Sequence, residues 1–203
     1  MKTHGQDIWA CDFVPVVDLF FRTVYAFVII HLGSRRVVHV NTTRHPTDAW
    51  VAQQLREATP FGEKAKHLIC DNDTKYGPLF DAAAQTCALD VIHTPFEAPR
   101  ANAICERFVG TLRRECLNHM LVLGDRQLVR VLKEYSRYFD QARPHQGLEQ
   151  QTPEARWLGQ AKVAPQQPAA VPCTLLAPGH RAGRKLVVSP VLNGLHHAYA
   201  WVT

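Results

Sequence analysis

The fold is decided by residues 8–42, which read IWACDFVPVVDLFFRTVYAFVIIHLGSRRVVHVNT. Apolar side chains alternate with others in the first part of this stretch. Residues 24–30 are continuously apolar, which is typical of a central strand covered on both faces. Gly33 and Ser34 mark a turn before a third β-rich segment, residues 36–42. The stretch therefore predicts an antiparallel meander of three strands.

The following residues continue the pattern with alternating helices and short strands. We predict helices over 46–58, 80–88, 102–118 and 126–139, and strands over 66–70 and 89–93. The resulting order, three strands and then helix, strand, helix, strand, favours a mixed sheet covered by helices. The predicted fold class is therefore α/β, with a mixed five-stranded sheet flanked by helices.

The end of the chain differs in composition. Residues 160–172 are rich in Ala, Gln and Pro, which is typical of a linker. Two β-rich segments, 185–188 and 198–202, flank Asn193 and Gly194 and predict a small β-containing tail. We expect a core domain over 1–158, a linker over 159–172 and a small β appendage over 173–203.

Charge and cysteine usage limit the classes of function. The net charge is +5, and residues 100–145 hold nine Arg or Lys against five Asp or Glu. Such a basic stretch suits a polyanionic partner, and it equally suits a solvated helix face. The six cysteines form no C-x-x-C pair, which predicts buried thiols in a reducing cytosol rather than a zinc site or disulfide frame. No signal peptide is evident, and the longest apolar run, residues 24–32, is too short to span a bilayer.

Three acidic residues stand in apolar or helical surroundings: Asp12, Asp71 and Glu106. A carboxylate in such a place is costly unless its charge is offset. The first and fourth strands can be neighbours in the predicted sheet, which would bring Asp12 and Asp71 together. Carboxylate oxygens favour Mg²⁺ or Mn²⁺ over zinc, and two such ions suit an in-line phosphoryl transfer.

Helical geometry relates Glu106 to a basic side chain. Arg113 is seven residues on, so it lies on nearly the same side of the helix and about 10 Å further along its axis. Gly110 between them leaves a low strip that a phosphodiester backbone could follow.

The residues alone leave other interpretations open. Asp12 could be a surface-facing strand residue, Asp71 could belong to a turn within Asp-Asn-Asp-Thr, and Glu106 could be a solvated helix residue. Asp73 competes with Asp71 as a ligand.

The amino-acid sequences of several segments resemble those of the catalytic core of DDE transposases and retroviral-type integrases, most closely the core of bacterial insertion-sequence transposases. The resemblance covers about residues 8–157. Its three acidic segments are Trp9 to Phe13, Cys70 to Gly77 and Asn102 to Phe108, and 34 residues separate Asp71 from Glu106. Further matches are Arg113, residues 114–117, residues 143–148 and residues 152–154.

The resemblance implies a ribonuclease H-like fold and DNA integration, transposition and recombination by metal-dependent phosphodiester hydrolysis followed by strand transfer. It implies that Asp12, Asp71 and Glu106 are both the catalytic residues and the ligands of Mg²⁺ or Mn²⁺, with two ions. The expected DNA-binding residues are Lys75, Arg100, Arg107, Arg113 and Arg114. A bacterial cytoplasmic homo-oligomer acting on element ends and target DNA is implied, with no membrane partner.

Two departures from the family pattern bear on these expectations. Asp73 stands where many integrases have Gly, which adds a carboxylate near the expected metal site. Related transposases usually carry a helix-turn-helix region upstream, so we expect a separate end-binding domain or protein to assist this core. A nuclease making only the hydrolytic step and a truncated DNA-binding relic are the alternative functions.

Overall fold

The computed structural model describes residues 5–59, 65–94, 103–159 and 185–202. Seven strands and five α-helices lie within these ranges. In chain order they are β1 (Ile8–Val17), β2 (Thr23–His31), β3 (Val37–Thr43), α1 (Asp48–Ala58), β4 (His67–Cys70), α2 (Pro78–Thr86), β5 (Asp90–His93), α3 (Ala103–Glu115), α4 (Asp125–Gln141), α5 (Pro153–Trp157), β6 (Lys185–Val191) and β7 (His196–Val202).

The first five strands form one mixed sheet in the order β3-β2-β1-β4-β5. The β1–β2 and β2–β3 pairs are antiparallel, whereas β1–β4 and β4–β5 are parallel. The predicted meander and the predicted mixed five-stranded sheet are both confirmed. The parallel pairing of β1 with β4 makes the carboxyl ends of these two strands point to the same edge of the sheet.

One face of the sheet carries the main apolar core, beneath α1 and α2. The strands supply alternate side chains to this face, including Trp9, Cys11 and Leu68, which are almost completely buried. The helices cover them with Leu55 and Phe80. Burial of these apolar side chains is the main source of the sheet's stability.

Helix α3 packs against β1. Its buried side chains are Cys105, Phe108, Thr111 and Leu112, which recur at helical spacing and form one apolar stripe. The predicted helix over 102–118 instead ends at Glu115, and a short 3₁₀ turn, Leu117–His119, follows it.

The chain divides into two compact units, Met1–Leu132 and Lys133–Thr203. In the second unit, β6 and β7 form an antiparallel hairpin, as the tail pattern predicts. The Leu192 backbone N–H donates to Glu134, and the His196 ring stacks on Tyr138 at 4.8 Å. The proposed boundaries at 158 and 172 remain a prediction, because the linker lies almost entirely outside the described residues. Within the described ranges, no helix is long and apolar enough to cross a membrane.

The carboxylate of Asp48, the first residue of α1, caps a different helix. It accepts hydrogen bonds from the backbone N–H groups of Gly77 (3.2 Å), Leu79 (2.9 Å) and Phe80 (2.8 Å) at the start of α2. These N–H groups have no partner within α2, and a carboxylate also suits the positive end of the helix dipole. A Cβ added at Gly77 would lie 2.7 Å from the Asp48 carboxylate, so the close approach requires glycine.

We predict that Asp48→Ala lowers the free energy of unfolding by about 2 kcal/mol, because three N–H groups lose a charged acceptor. Gly77→Ala should also lower the free energy of unfolding, because its new methyl group pushes the Asp48 carboxylate away. Urea denaturation followed by far-UV circular dichroism measures both.

Gly124→Ala is the matched control for this prediction. A Cβ at Gly124 would meet no atom within 4 Å, so the substitution should leave the free energy of unfolding nearly unchanged. If Gly77→Ala and Gly124→Ala lowered the free energy of unfolding equally, the Asp48 contact would not explain the need for glycine at position 77.

Candidate active site

Asp12 and Asp71 are brought to the same level by strand register. Asp12 lies on β1, and Asp71 directly follows the last residue of β4. The parallel ladder pairs Ala10 with Ile69, so two further residues along each strand place Asp12 level with Asp71. Because side chains alternate along a strand, both carboxylates are directed to the same face.

The pKa of Asp12 shows that the three predicted acids share one electrostatic environment. Burial and, to a lesser extent, the charges of Asp71 and Glu106 raise this pKa to about 6, against the lowering effects of the Phe13 backbone N–H and Arg113. The Phe13 N–H donates to the Asp12 carboxylate at 2.7 Å. The structure thus places Asp71 and Glu106 near enough to Asp12 to oppose its ionisation.

Glu106 reaches this region from α3. It is exposed in the first turn of the helix, next to the buried Cys105. Burial raises the pKa of the Cys105 thiol well above its usual range, and the charges of Asp12 and Glu106 raise it further. The α3 stripe that buries Cys105 therefore holds Glu106 at the margin of the core, beside Asp12.

Arg113 fastens the far end of α3 to β1. Its guanidinium donates a 3.1 Å hydrogen bond to the Pro15 carbonyl and also lowers the pKa of Asp12. Arg113 therefore lies within electrostatic range of Asp12, at the end of α3 opposite Glu106. One of its donors is already used for a backbone contact within the protein.

The other predicted DNA-binding residues have different surroundings. Lys75 pairs with Asp73 and lies over the Phe13 ring at 5.5 Å, so its charge is compensated internally. This pairing and hydrogen bonding lower the pKa of Asp73, although burial opposes the effect. Arg114 donates to Thr111, and a Cβ added at Gly110 would lie 3.2 Å from the Arg114 guanidinium, so the low strip predicted there is partly filled.

Arg107 is exposed, and the structure adds a basic neighbour to it. Burial lowers the pKa of Arg35, and the positive charge of Arg107 lowers it further. The two guanidinium groups thus lie within electrostatic range of each other. Arg35 was missed by sequence reasoning because it belongs to the turn between β2 and β3, far from α3 in the chain. Arg100 lies outside the described residues.

The donor chemistry of the three acids fits a hard divalent cation. Burial is the main cause of the raised pKa of Asp12, and the charges of Asp71 and Glu106 add to it; a bound divalent cation would offset both effects. In the described ranges, no three carboxylate, histidine or cysteine side chains are close enough to enclose an ion. The acids therefore fit such a cation in the chemistry of their donors, and Asp71 and Glu106 are exposed.

The pKa of Asp18, a second aspartate on the same hairpin, is shifted in the opposite direction. Burial would raise the pKa of Asp18, but the Arg22 backbone N–H, the Arg44 side chain and the Phe20 N–H lower it to about 2. The stability that Asp18 contributes is therefore present above about pH 3.8 and is lost as the pH falls through about 2. For Asp12 the sign is reversed: its contribution is complete below about pH 3.8 and is lost as the pH rises through about 6.

We predict that Asp12→Asn stabilises the metal-free protein by about 1–3 kcal/mol at neutral pH, because it removes a half-buried charge that its neighbours oppose. Added Mn²⁺ should raise the melting temperature of the wild type more than that of Asp12→Asn. Thermal unfolding with and without Mn²⁺ measures both effects.

Asp18→Asn is the control with the opposite expected sign, since it removes a well-compensated charge. Equal destabilisation by the two substitutions would identify Asp12 as a structural residue rather than a strained site residue.

Known proteins resemble this chain in sequence and in fold. Residues 89–153 match the family model described as an integrase core domain. A curated relative from Xanthomonas euvesicatoria, the insertion element IS476 uncharacterized 39.2 kDa protein, is 27% identical over 141 residues, which are 69% of this chain. The chain spans 41% of that relative's length.

Solved structures of viral integrases share the fold at low sequence identity. The catalytic core domain of BIV integrase is 14% identical, with a TM-score of 0.56 over 76% of this chain and 95% of its own. The HTLV-2 integrase catalytic core domain, solved in complex with magnesium in a dimeric form, is 13% identical, with a TM-score of 0.59; the match covers 77% of this chain and 99% of that domain. A chain of the simian T-cell lymphotropic virus intasome, solved with the PP2A regulatory subunit B56 gamma, is 15% identical, with a TM-score of 0.64; the match covers 98% of this chain and 67% of the viral chain.

The sheet order, the helices around it and these matches lead to the same result. The resemblance predicted from sequence is confirmed: residues 89–153 match an integrase core domain, the chain is similar to an insertion-element protein, and its fold is the ribonuclease H-like fold of viral integrase catalytic cores.

Proposed function

We propose that this chain is the catalytic core of a DNA integrase or transposase, a polynucleotidyl transferase that hydrolyses a phosphodiester and transfers the freed DNA strand. The observation that carries this proposal is the register of β1 and β4 on a ribonuclease H-like fold, which sets Asp12 level with Asp71, and the charges of Asp71 and Glu106 both help to raise the pKa of Asp12. The match to an integrase core and the insertion-element relative support it.

Asp12, Asp71 and Glu106 are the proposed catalytic residues and the ligands of Mg²⁺ or Mn²⁺, with two ions. When bound, these ions supply compensation for charge on the attacking and leaving oxygens of an in-line displacement. The solved relative in complex with magnesium supports the choice of ion. Ionised Asp12 is needed for this role, so binding should weaken as the pH falls through about 6.

The arginines of α3 are the proposed contacts to the DNA backbone. Arg107 is exposed near Arg35, and Arg113 lies beside Asp12 while its guanidinium is oriented by the Pro15 carbonyl. A guanidinium so oriented binds phosphate oxygens at low conformational cost. Lys75, Arg100 and Arg114 stay in the proposed set, although Lys75 must first leave Asp73.

The proposed partners are DNA ends, target DNA and further copies of the chain, with a separate domain or protein reading the element ends. The dimeric and intasome forms of the solved relatives support oligomeric assembly. Hydrolysis alone and a non-catalytic DNA-binding relic are less favoured, because Asp71 and Glu106 both help to raise the pKa of Asp12 and the curated relative belongs to an insertion element.

We predict that Asp12→Asn, Asp71→Asn and Glu106→Gln each reduce Mn²⁺-dependent cleavage and strand joining of an oligonucleotide by at least about a thousandfold, because each removes a proposed ligand. DNA binding measured by fluorescence anisotropy should persist. Glu57→Gln, which neutralises an exposed carboxylate on α1, is the matched control and should keep full activity. Normal cleavage by any of the three variants would remove that residue from the site.

We predict that Arg107→Ala weakens binding to duplex DNA and lowers the slope of log affinity against log salt by about 1, because one phosphate contact is lost. Arg113→Ala should lower the slope similarly and also reduce cleavage, because α3 loses its bond to Pro15. Arg56→Ala on α1 removes the same charge away from α3 and should leave the slope unchanged. Equal slopes for all four proteins would contradict the proposed DNA face.

A further inference from the structure

Strand β7 of the C-terminal hairpin carries a row of exposed aromatic side chains that the catalytic proposal does not use. Tyr199 and Trp201 are 55% and 45% exposed, and His197 before them is exposed as well. Because side chains alternate along a strand, the three rings lie on one face of the hairpin. We call these three residues the ring row: His197, Tyr199 and Trp201.

The opposite face of β7 packs on the protein itself. Ala198 is buried, and the His196 ring stacks on Tyr138 of α4 at 4.8 Å. In the turn of the hairpin, the Leu192 backbone N–H donates to Glu134 of the same helix at 2.7 Å. These contacts lie within the second compact unit. They determine which face of the hairpin is turned inward, so the fold holds the ring row outward.

Strand β6 lines the ring row with apolar side chains. Residues that lie directly opposite each other in an antiparallel pair share one face of the sheet. The ring row therefore shares its face with three residues of β6. The register pairs Leu186 with Trp201, Val188 with Tyr199 and Pro190 with His197. A surface of rings and apolar side chains favours contact with the face of another planar ring.

The spacing of the rings suits the bases of an unstacked nucleic-acid strand. The centroids of the His197 and Tyr199 rings are 6.5 Å apart, and Trp201 follows at the same two-residue interval. Stacked bases in DNA repeat at about 3.4 Å along each strand, roughly half this distance. A strand that places one base on each ring must therefore have bases that are separated from one another. Rings on a sheet surface bind unpaired bases in this way, whereas neighbouring bases cover these faces in a duplex.

The charge of the surrounding sequence favours a polyanion over a second protein. Residues 155–203 contain five Arg or Lys, and all 18 Asp and Glu of the chain precede them. This segment therefore carries the whole net charge of +5, and residues 1–154 are neutral in sum. Such a segment attracts a phosphate backbone and repels its own copy. Rings for the bases and positive charge for the phosphates are the two requirements of a site for single-stranded nucleic acid.

We propose that the ring row is a stacking site for the unpaired bases of single-stranded DNA. Each ring stacks on one base, and the basic C-terminal segment attracts the phosphates. The choice of DNA over RNA rests on the proposed function, which acts on DNA strands. Base stacking needs neither a divalent metal nor the three acids, so its test is separate from that of catalysis.

The test is fluorescence anisotropy of a labelled oligothymidylate with the full chain and without divalent metal. Tyr199→Thr and Trp201→Thr should each weaken binding by about tenfold to a hundredfold, because each removes one ring. Threonine favours strands and both positions are exposed, so the melting temperature should match that of wild type. The slope of log affinity against log salt should be unchanged, because no charge is removed. Affinity for a duplex of the same length should also be unchanged.

Tyr199→Phe keeps the ring and should bind the oligothymidylate as wild type does. Leu195→Ala is the matched control, because Leu195 is an exposed apolar residue of the same hairpin outside the ring row. Wild-type affinity in both threonine variants overturns the proposal. Equal losses in Tyr199→Thr and Tyr199→Phe, or equal losses for single strand and duplex, overturn it as well. Tighter binding of oligouridylate than of oligothymidylate overturns the choice of DNA.

Asp12→Asn distinguishes this site from the catalytic one. It should lose cleavage and still bind the oligothymidylate as wild type does. Normal cleavage by Asp12→Asn would contradict the proposed catalytic role and leave base stacking supported. Wild-type oligothymidylate binding by both threonine variants would contradict base stacking alone.

Discussion

The site depends on the register between the parallel strands β1 and β4. That register sets Asp12 level with Asp71 on one face, so the Asp71 charge opposes the ionisation of Asp12 and helps to raise its pKa. Such a pair is unfavourable in the metal-free protein, and the sheet must hold it against repulsion. The apolar core beneath α1 and α2 supplies that stability from the opposite face, with Cys11 and Cys70 buried directly beside the two acids. The arrangement resists the repulsion because strand register cannot slip without exposing this core.

Helix α3 supplies the third acid, Glu106, and leaves its side chain exposed. Its apolar stripe fixes Cys105 and leaves Glu106 exposed, while Arg113 reaches back to the Pro15 carbonyl. Both ends of the helix are thereby tied to one strand. The positive charge of Arg113 partly offsets the repulsion around Asp12, so the same residue stabilises the site and presents a donor near it. A substitution there changes position and electrostatics together, which is why a charge-matched control on α1 is needed to separate them.

The sequence predicts the parts of this protein that depend on local pattern. Continuous apolar residues predict β2, and the spacing of Cys105 and Leu112 predicts the buried face of α3. The acids are found because they interrupt apolar segments. Contacts between distant residues are not encoded locally, so the Asp48 cap on α2 and the Asp18–Arg44 pair escape sequence reasoning. The same limit applies to Lys75: its charge alone predicts a DNA contact, whereas the structure pairs it with Asp73. Exposure of Phe20 and Phe21 is likewise hidden, because apolar residues beside a strand are normally read as core.

Strand β1 carries the first acid and also the anchor of the helix that bears the third. Asp12 lies in the middle of β1, and Pro15 lies three residues further on, about 10 Å away at 3.3 Å per residue. The Pro15 carbonyl accepts the hydrogen bond from Arg113, which is on the same helix as Glu106. A displacement of β1 would therefore move Asp12 and α3 together, so the position of Glu106 relative to Asp12 depends on this one strand.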